Sequence, residues 1–99
     1  MDYLLKKFLP RIEFDSYEDF KANYKVNVPE DFNFGFDVVD AWADAEPEKK
    51  ALVWCDEEDD EKIFTFTDIK RLSNKAANFF KSLGVKKGSV VMLILRRRW

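Results

Sequence analysis

IFTFTDIKRLSNKAANFFKSLGVKKGSVVMLIL, residues 63–95, is the stretch on which the fold turns. It reads as strand, capped helix, glycine turn and second strand. Ile63 to Phe66 alternates, with Phe64 and Phe66 on one face and Ile63 and Thr65 on the other, as a half-buried strand requires. Thr67 is the expected N-cap, with Asp68 in the first turn, where the helix dipole favours negative charge. Ile69, Leu72, Ala76, Phe80 and Leu83 then recur at spacings of 3, 4, 4 and 3, an unbroken apolar stripe widened by Ala77. Gly84 falls where a left-handed C′ residue is needed, and Val85 is placed to close on Phe80. Lys86 to Ser89 makes a turn. Val90 to Leu95 is continuously apolar, the pattern of a parallel strand covered on both faces. Together these elements predict a right-handed βαβ unit.

Upstream, Ala51 to Cys55 has strand length and composition. The six consecutive acids Asp56 to Glu61 that follow repel one another and must stay in water. They are expected at the tip of a hairpin whose returning strand begins at Ile63. A calcium loop of the D-x-[DN]-x-[DN]-G kind would need a turn-making glycine, and the run has none. Cys55, beside six carboxylates, is read as a structural thiol, because a reactive one needs a neighbour that stabilises the thiolate. Phe36 to Glu46 is a predicted helix with Asp37 as N-cap and Pro47 as its stop. Its apolar face is Val38, Val39, Trp42 and Ala45, and its acids are read as a solvated surface. Val26 to Gly35 is irregular connection. Ser16 caps a helix carrying Tyr17, Phe20 and Tyr24 on one face. Residues 2–9 form a short helix closed by Pro10, packed onto protein rather than lying on a membrane.

Composition bounds the chemistry. At 99 residues, 46% apolar and 16% aromatic, the chain can build a core, but one of modest stability. A net charge of −2 argues against a general nucleic-acid binder. The charge is uneven: residues 1–50 hold 7 basic and 12 acidic side chains, and residues 51–99 hold 10 and 7. With one cysteine no internal disulfide forms, which fits the cytoplasm. MDYLLKKFLPRIEF lacks the pattern of a signal peptide, and no apolar run reaches membrane-spanning length. No histidine is present, which removes the Ser-His and Cys-His pairs and the commonest metal ligand. The three glycines form neither a P-loop nor a dinucleotide fingerprint.

The segment from Phe64 to Leu95 resembles the N-terminal part of the AMP-forming acyl-CoA synthetases of the adenylate-forming superfamily. The residues that carry the resemblance are Thr65-Phe66-Thr67-Asp68, Ala76-Ala77 and Leu83-Gly84-Val85-Lys86-Lys87-Gly88. Ser89 stands where the family usually has aspartate. Ser16 to Phe20, Phe32 to Asp37 and Ala51 to Trp54 are similar to the lead-in of acetyl-CoA and medium-chain acyl-CoA synthetases.

The resemblance implies an α/β fold: N-terminal helices, a β-hairpin and a βαβ unit forming part of the large N-terminal domain of an adenylate-forming enzyme. Residues 1–50 would be a helical lead-in and residues 51–99 the incomplete start of the AMP-binding domain. A full-length parent would use ATP, Mg and CoA to turn a carboxylic acid into acyl-CoA, AMP and pyrophosphate. The family's phosphate loop, adenosine-binding Asp and C-terminal Lys have no counterpart here, so no catalytic, cofactor-binding or metal-ligating residue is assigned. The chain is expected to be an N-terminal fragment, inactive alone, whose bare last strand promotes self-association. The alternative is a non-catalytic α/β interaction module. A third reading has Arg96 to Arg98 and Trp99 touching nucleic acid; a solvated strand exit is the reading preferred for them.

Overall fold

A computed structural model describes residues 2–96. Its elements are α1 (Asp2–Phe8), α2 (Tyr17–Asn23), a π-helical segment (Gly35–Asp40) running into α3 (Ala41–Ala45), β1 (Lys50–Cys55), β2 (Glu61–Thr65) and α4 (Phe66–Ser82).

The hairpin follows from its sequence. β1 and β2 pair antiparallel, with Leu52 opposite Phe64, Val53 opposite Ile63 and Cys55 opposite Glu61; the register is irregular between Lys50 and Leu52. The acidic run is its tip, as expected. One Asp56 carboxylate oxygen accepts the backbone N–H groups of Glu58 (2.9 Å) and Asp60 (3.0 Å), and Asp59 takes the left-handed turn at φ 63°. Aspartate tolerates that conformation better than most residues. The run's sequence thus supplies its own turn while its remaining carboxylates face water.

Helix α4 starts two residues earlier than its sequence suggested. Thr65, not Thr67, is the N-cap: the Asp68 N–H donates to Thr65 Oγ1 (3.2 Å), and the Thr65 N–H donates to Asp68 Oδ2 (3.0 Å). This is a reciprocal capping box. The physical reason is legible in retrospect: Thr65 has an acceptor three residues on, whereas Thr67 has Lys70 there, which cannot accept. Phe66 therefore leaves the strand to become the first helical residue. Thr67 instead ties α4 to the preceding turn, its hydroxyl donating to the Pro47 carbonyl at 2.9 Å. The far end is as predicted. Gly84 has φ 80°, the Val85 N–H reaches the Phe80 carbonyl (3.1 Å) and the Gly84 N–H that of Lys81 (3.0 Å), the paired bonds of a Schellman stop.

Two further expectations are corrected. Asp37 does not cap its helix. The chain is already helical at Phe34, and the side-chain cap is Asn33, whose Oδ1 accepts from the Phe36 N–H at 3.3 Å. The Asp37 carboxylate reaches back to the Asn33 N–H (2.9 Å) and across to Lys7 Nζ (2.9 Å), pinning α1 to the π segment. Second, Val90–Leu95 is not a strand. Among the described residues the sheet contains only β1 and β2, and the βαβ unit is not closed. An apolar run specifies burial but not a partner, and a parallel strand exists only through hydrogen bonds to a neighbour. Val90, Met92 and Ile94 are instead 96%, 83% and 87% exposed.

The consequence is an open molecule. Leu4 and Ala43 are the buried apolar residues of the described chain. The radius of gyration is 17.6 Å, against about 13 Å for a compact chain of this length. The helical and hairpin halves meet where α4 packs on the π segment and α3.

Candidate functional site

Trp42 is the residue on which that junction depends. Its ring stacks on Phe66, with centroids 5.7 Å apart and planes at 23°, so α3 meets the first residue of α4. Lys49 Nζ lies 4.4 Å from the Trp42 ring centre and 3.3 Å from the Glu46 carboxylate. The Lys49 carbonyl accepts the Phe66 N–H at 3.0 Å. Pro47 breaks the helix between these contacts, folding Lys49 back over the indole. A short helix, a proline turn and a helix start are thereby held in one layer.

Two apolar cavities flank Trp42. One, of about 180 Å³, lies between α1 and the π segment and is lined by Leu4, Phe8, Val38 and Trp42 among others. The second, of about 410 Å³, opens between the π segment and the hairpin, with Leu52, Phe66 and Ile69 in its wall. A third hollow of about 440 Å³ runs between β2 and α4, floored by Ile63, Phe64 and Leu72. The first two are walled mainly by apolar side chains, whereas the third adds Lys62, Asp68, Arg71 and Lys75. Among the described residues no cluster of three or more His, Cys, Asp or Glu could hold a metal ion. Cys55 is exposed. The acids of the helix predicted over 36–46 do structural work: Asp37 binds Lys7, and Asp44 binds Lys70 at 2.6 Å. Arg97, Arg98 and Trp99, the core of the nucleic-acid reading, lie outside the described residues.

The carboxylates that organise local structure are more acidic than usual. Asp19 is lowered first by the Asp15 N–H and then by Arg11, which it binds in a fork at 2.8 and 2.6 Å. Asp37 is lowered by the Asn33 N–H and then Lys7, and Asp68 by the N–H and then the hydroxyl of Thr65. A depressed folded pKa contributes stability above the unfolded value, about 3.9 for aspartate, which is lost as pH falls through the folded values. Helical signal in far-UV circular dichroism should therefore decline as pH drops below about 4. Helicity unchanged down to about pH 2 would contradict these assignments.

The short helices, the acid-tipped hairpin and the capped helix define a segment of an α/β fold. Residues 39–99 match the family described as "AMP-binding enzyme", and the chain belongs to that family. It is 36% identical over 90 residues to acyl-coenzyme A synthetase ACSM3, mitochondrial, of Homo sapiens, covering 85% of this chain and 15% of that protein. It is 37% identical over 87 residues to human acyl-coenzyme A synthetase ACSM4, mitochondrial, covering 80% of this chain and 15% of that one. Over 64 residues it is 42% identical to acetyl-coenzyme A synthetase 2 of Saccharomyces cerevisiae, covering 64% and 9%. The chain thus spans a small part of the length of the relatives it matches. Among the described residues no helix is long and apolar enough to cross a membrane.

Proposed function

We propose that this chain is a scaffold segment of an AMP-forming acyl-CoA synthetase. The whole enzyme would join a short- or medium-chain carboxylic acid to CoA, consuming ATP, assisted by Mg, through an acyl-adenylate. The observation that carries this reading is the match over residues 39–99, together with 36% identity over 90 residues to an acyl-coenzyme A synthetase. The role of this segment is to hold the junction of helical lead-in (1–50) and hairpin–helix unit (51–99) through Trp42, Phe66 and the Thr65–Asp68 box. No residue here is given a catalytic, cofactor-binding or metal-ligating role. The cytoplasm is the compartment proposed, on the strength of a single, exposed cysteine.

Grafting tests it. Residues of human ACSM3 aligned with this chain are replaced by the present sequence, and ATP–pyrophosphate exchange is measured with butyrate and octanoate. The chimera should keep exchange within about tenfold of the parent, a barrier change of about 1.4 kcal/mol, while the 99-residue chain alone gives none. A folded chimera without exchange, or turnover by the chain alone, overturns the reading.

A second reading is favoured by the exposed apolar surface of residues 90–95 and of Leu72, Phe79 and Leu83. As an isolated polypeptide the chain self-associates, acting as an interaction module.

A further inference from the structure

The hollow between β2 and α4 has an apolar floor and a basic rim. Ile63 and Leu72 are 40% and 49% exposed, and Arg71 and Lys75, one turn apart on α4, stand beside them. Asp68 also lines it, but its carboxylate is held by Thr65. The opposite half of the chain has the complementary character. There Tyr17, Phe34 and Phe36 are 70%, 63% and 66% exposed, and along residues 15–36 the exposed acids Asp15, Glu18, Glu30 and Asp31 outnumber the exposed Lys21 and Lys25. We propose that the chain associates head to tail, the basic-rimmed hollow of one copy receiving the acidic, aromatic lead-in of a second copy.

The proposal rests on the self-association reading and says which surfaces meet. The exposed 90–95 segment is the competing occupant. Lys86, Lys87 and Arg96 bracket it, so seating it in the same hollow would set like charges against Arg71 and Lys75. The acidic lead-in meets those cations with opposite charge and offers aromatic rings to the apolar floor. Because the two surfaces differ, the contact is heterologous and open-ended, growing with concentration instead of stopping at a dimer. Exposed charge pairs are screened by salt, so the association weakens as ionic strength rises.

Sedimentation velocity of the whole chain, at about 0.05 and about 0.5 M NaCl, reads this out. The weight-average mass should exceed monomer and climb with concentration at low salt, then fall towards monomer at high salt. R71E/K75E should be monomeric at low salt, as should E18K/E30K, and mixing the two should restore association. Both variants change exposed residues, and circular dichroism checks each fold. Should one fail to fold, the other with the salt series decides. Association that ignores or strengthens with salt removes the head-to-tail contact and leaves the self-association reading standing. Monomer at every concentration removes both.

Discussion

Trp42→Ala should lower the stability of this chain by about 3 kcal/mol, from about 3–5 for a core Trp→Ala, reduced because Trp42 is half-buried. The stack on Phe66 adds to area burial, since aromatic pairs contribute about 0.5–1.5 kcal/mol beyond it. The Lys49 cation over the indole contributes about 0.5–1 kcal/mol at an exposed site. Removing the indole also takes away a side chain that lines both cavities, and the helical and hairpin halves lose that shared wall. A small domain shifts its Tm by about 4–8 °C per kcal/mol, so the melting midpoint should drop by well over 10 °C. Thermal unfolding followed by circular dichroism measures it. A loss under about 1 kcal/mol would show that the junction does not depend on this layer.

Thr65→Ala is the second large effect. It removes the hydroxyl that accepts the Asp68 N–H, and losing an N-cap costs about 1 kcal/mol, up to about 2. The same hydroxyl donates to Asp68 Oδ2 (3.0 Å), so the carboxylate loses a partner too. Thr65→Ser should restore most of the stability, and Asp68→Ala added to Thr65→Ala should cost less than the sum of the single changes, because the two share one box. Thr67→Ala leaves the box intact and breaks only the 2.9 Å bond to Pro47, so its effect should be smaller. A larger loss at Thr67 than at Thr65, by urea unfolding, would reverse the capping assignment.

How much of this was legible beforehand differs between elements. The Ser16 cap and the Gly84 stop rest on interactions within a few residues and appear as read; so does the acid-tipped hairpin, with its second strand at Glu61–Thr65 and not from Ile63 to Phe66, whereas Leu72, Ala76 and Leu83 of the α4 stripe stand exposed. The Thr65 cap was legible too, through threonine and aspartate three apart, but a second threonine two residues later masked it. Asp37 misled because an aspartate before an apolar run resembles a cap, and only Lys7, 30 residues away, and Asn33 show where its carboxylate goes. The π-helical form of Gly35–Asp40 has no periodicity signal that separates it from an ordinary helix. The stacking of Trp42 on Phe66 joins residues 24 apart and left no mark in either segment.

Local chemistry therefore settles where this chain turns, caps and stops, since those groups find their partners within one turn of helix or hairpin. It also carries the family, through the motifs of residues 64–95. Tertiary structure alone decides which layers meet: Trp42 against Phe66, Lys7 against Asp37, Lys70 against Asp44. It decides, too, that Val90–Leu95 stands outside the sheet. Six apolar residues demand burial whatever surrounds them, but a strand forms only where a neighbouring strand supplies its hydrogen bonds.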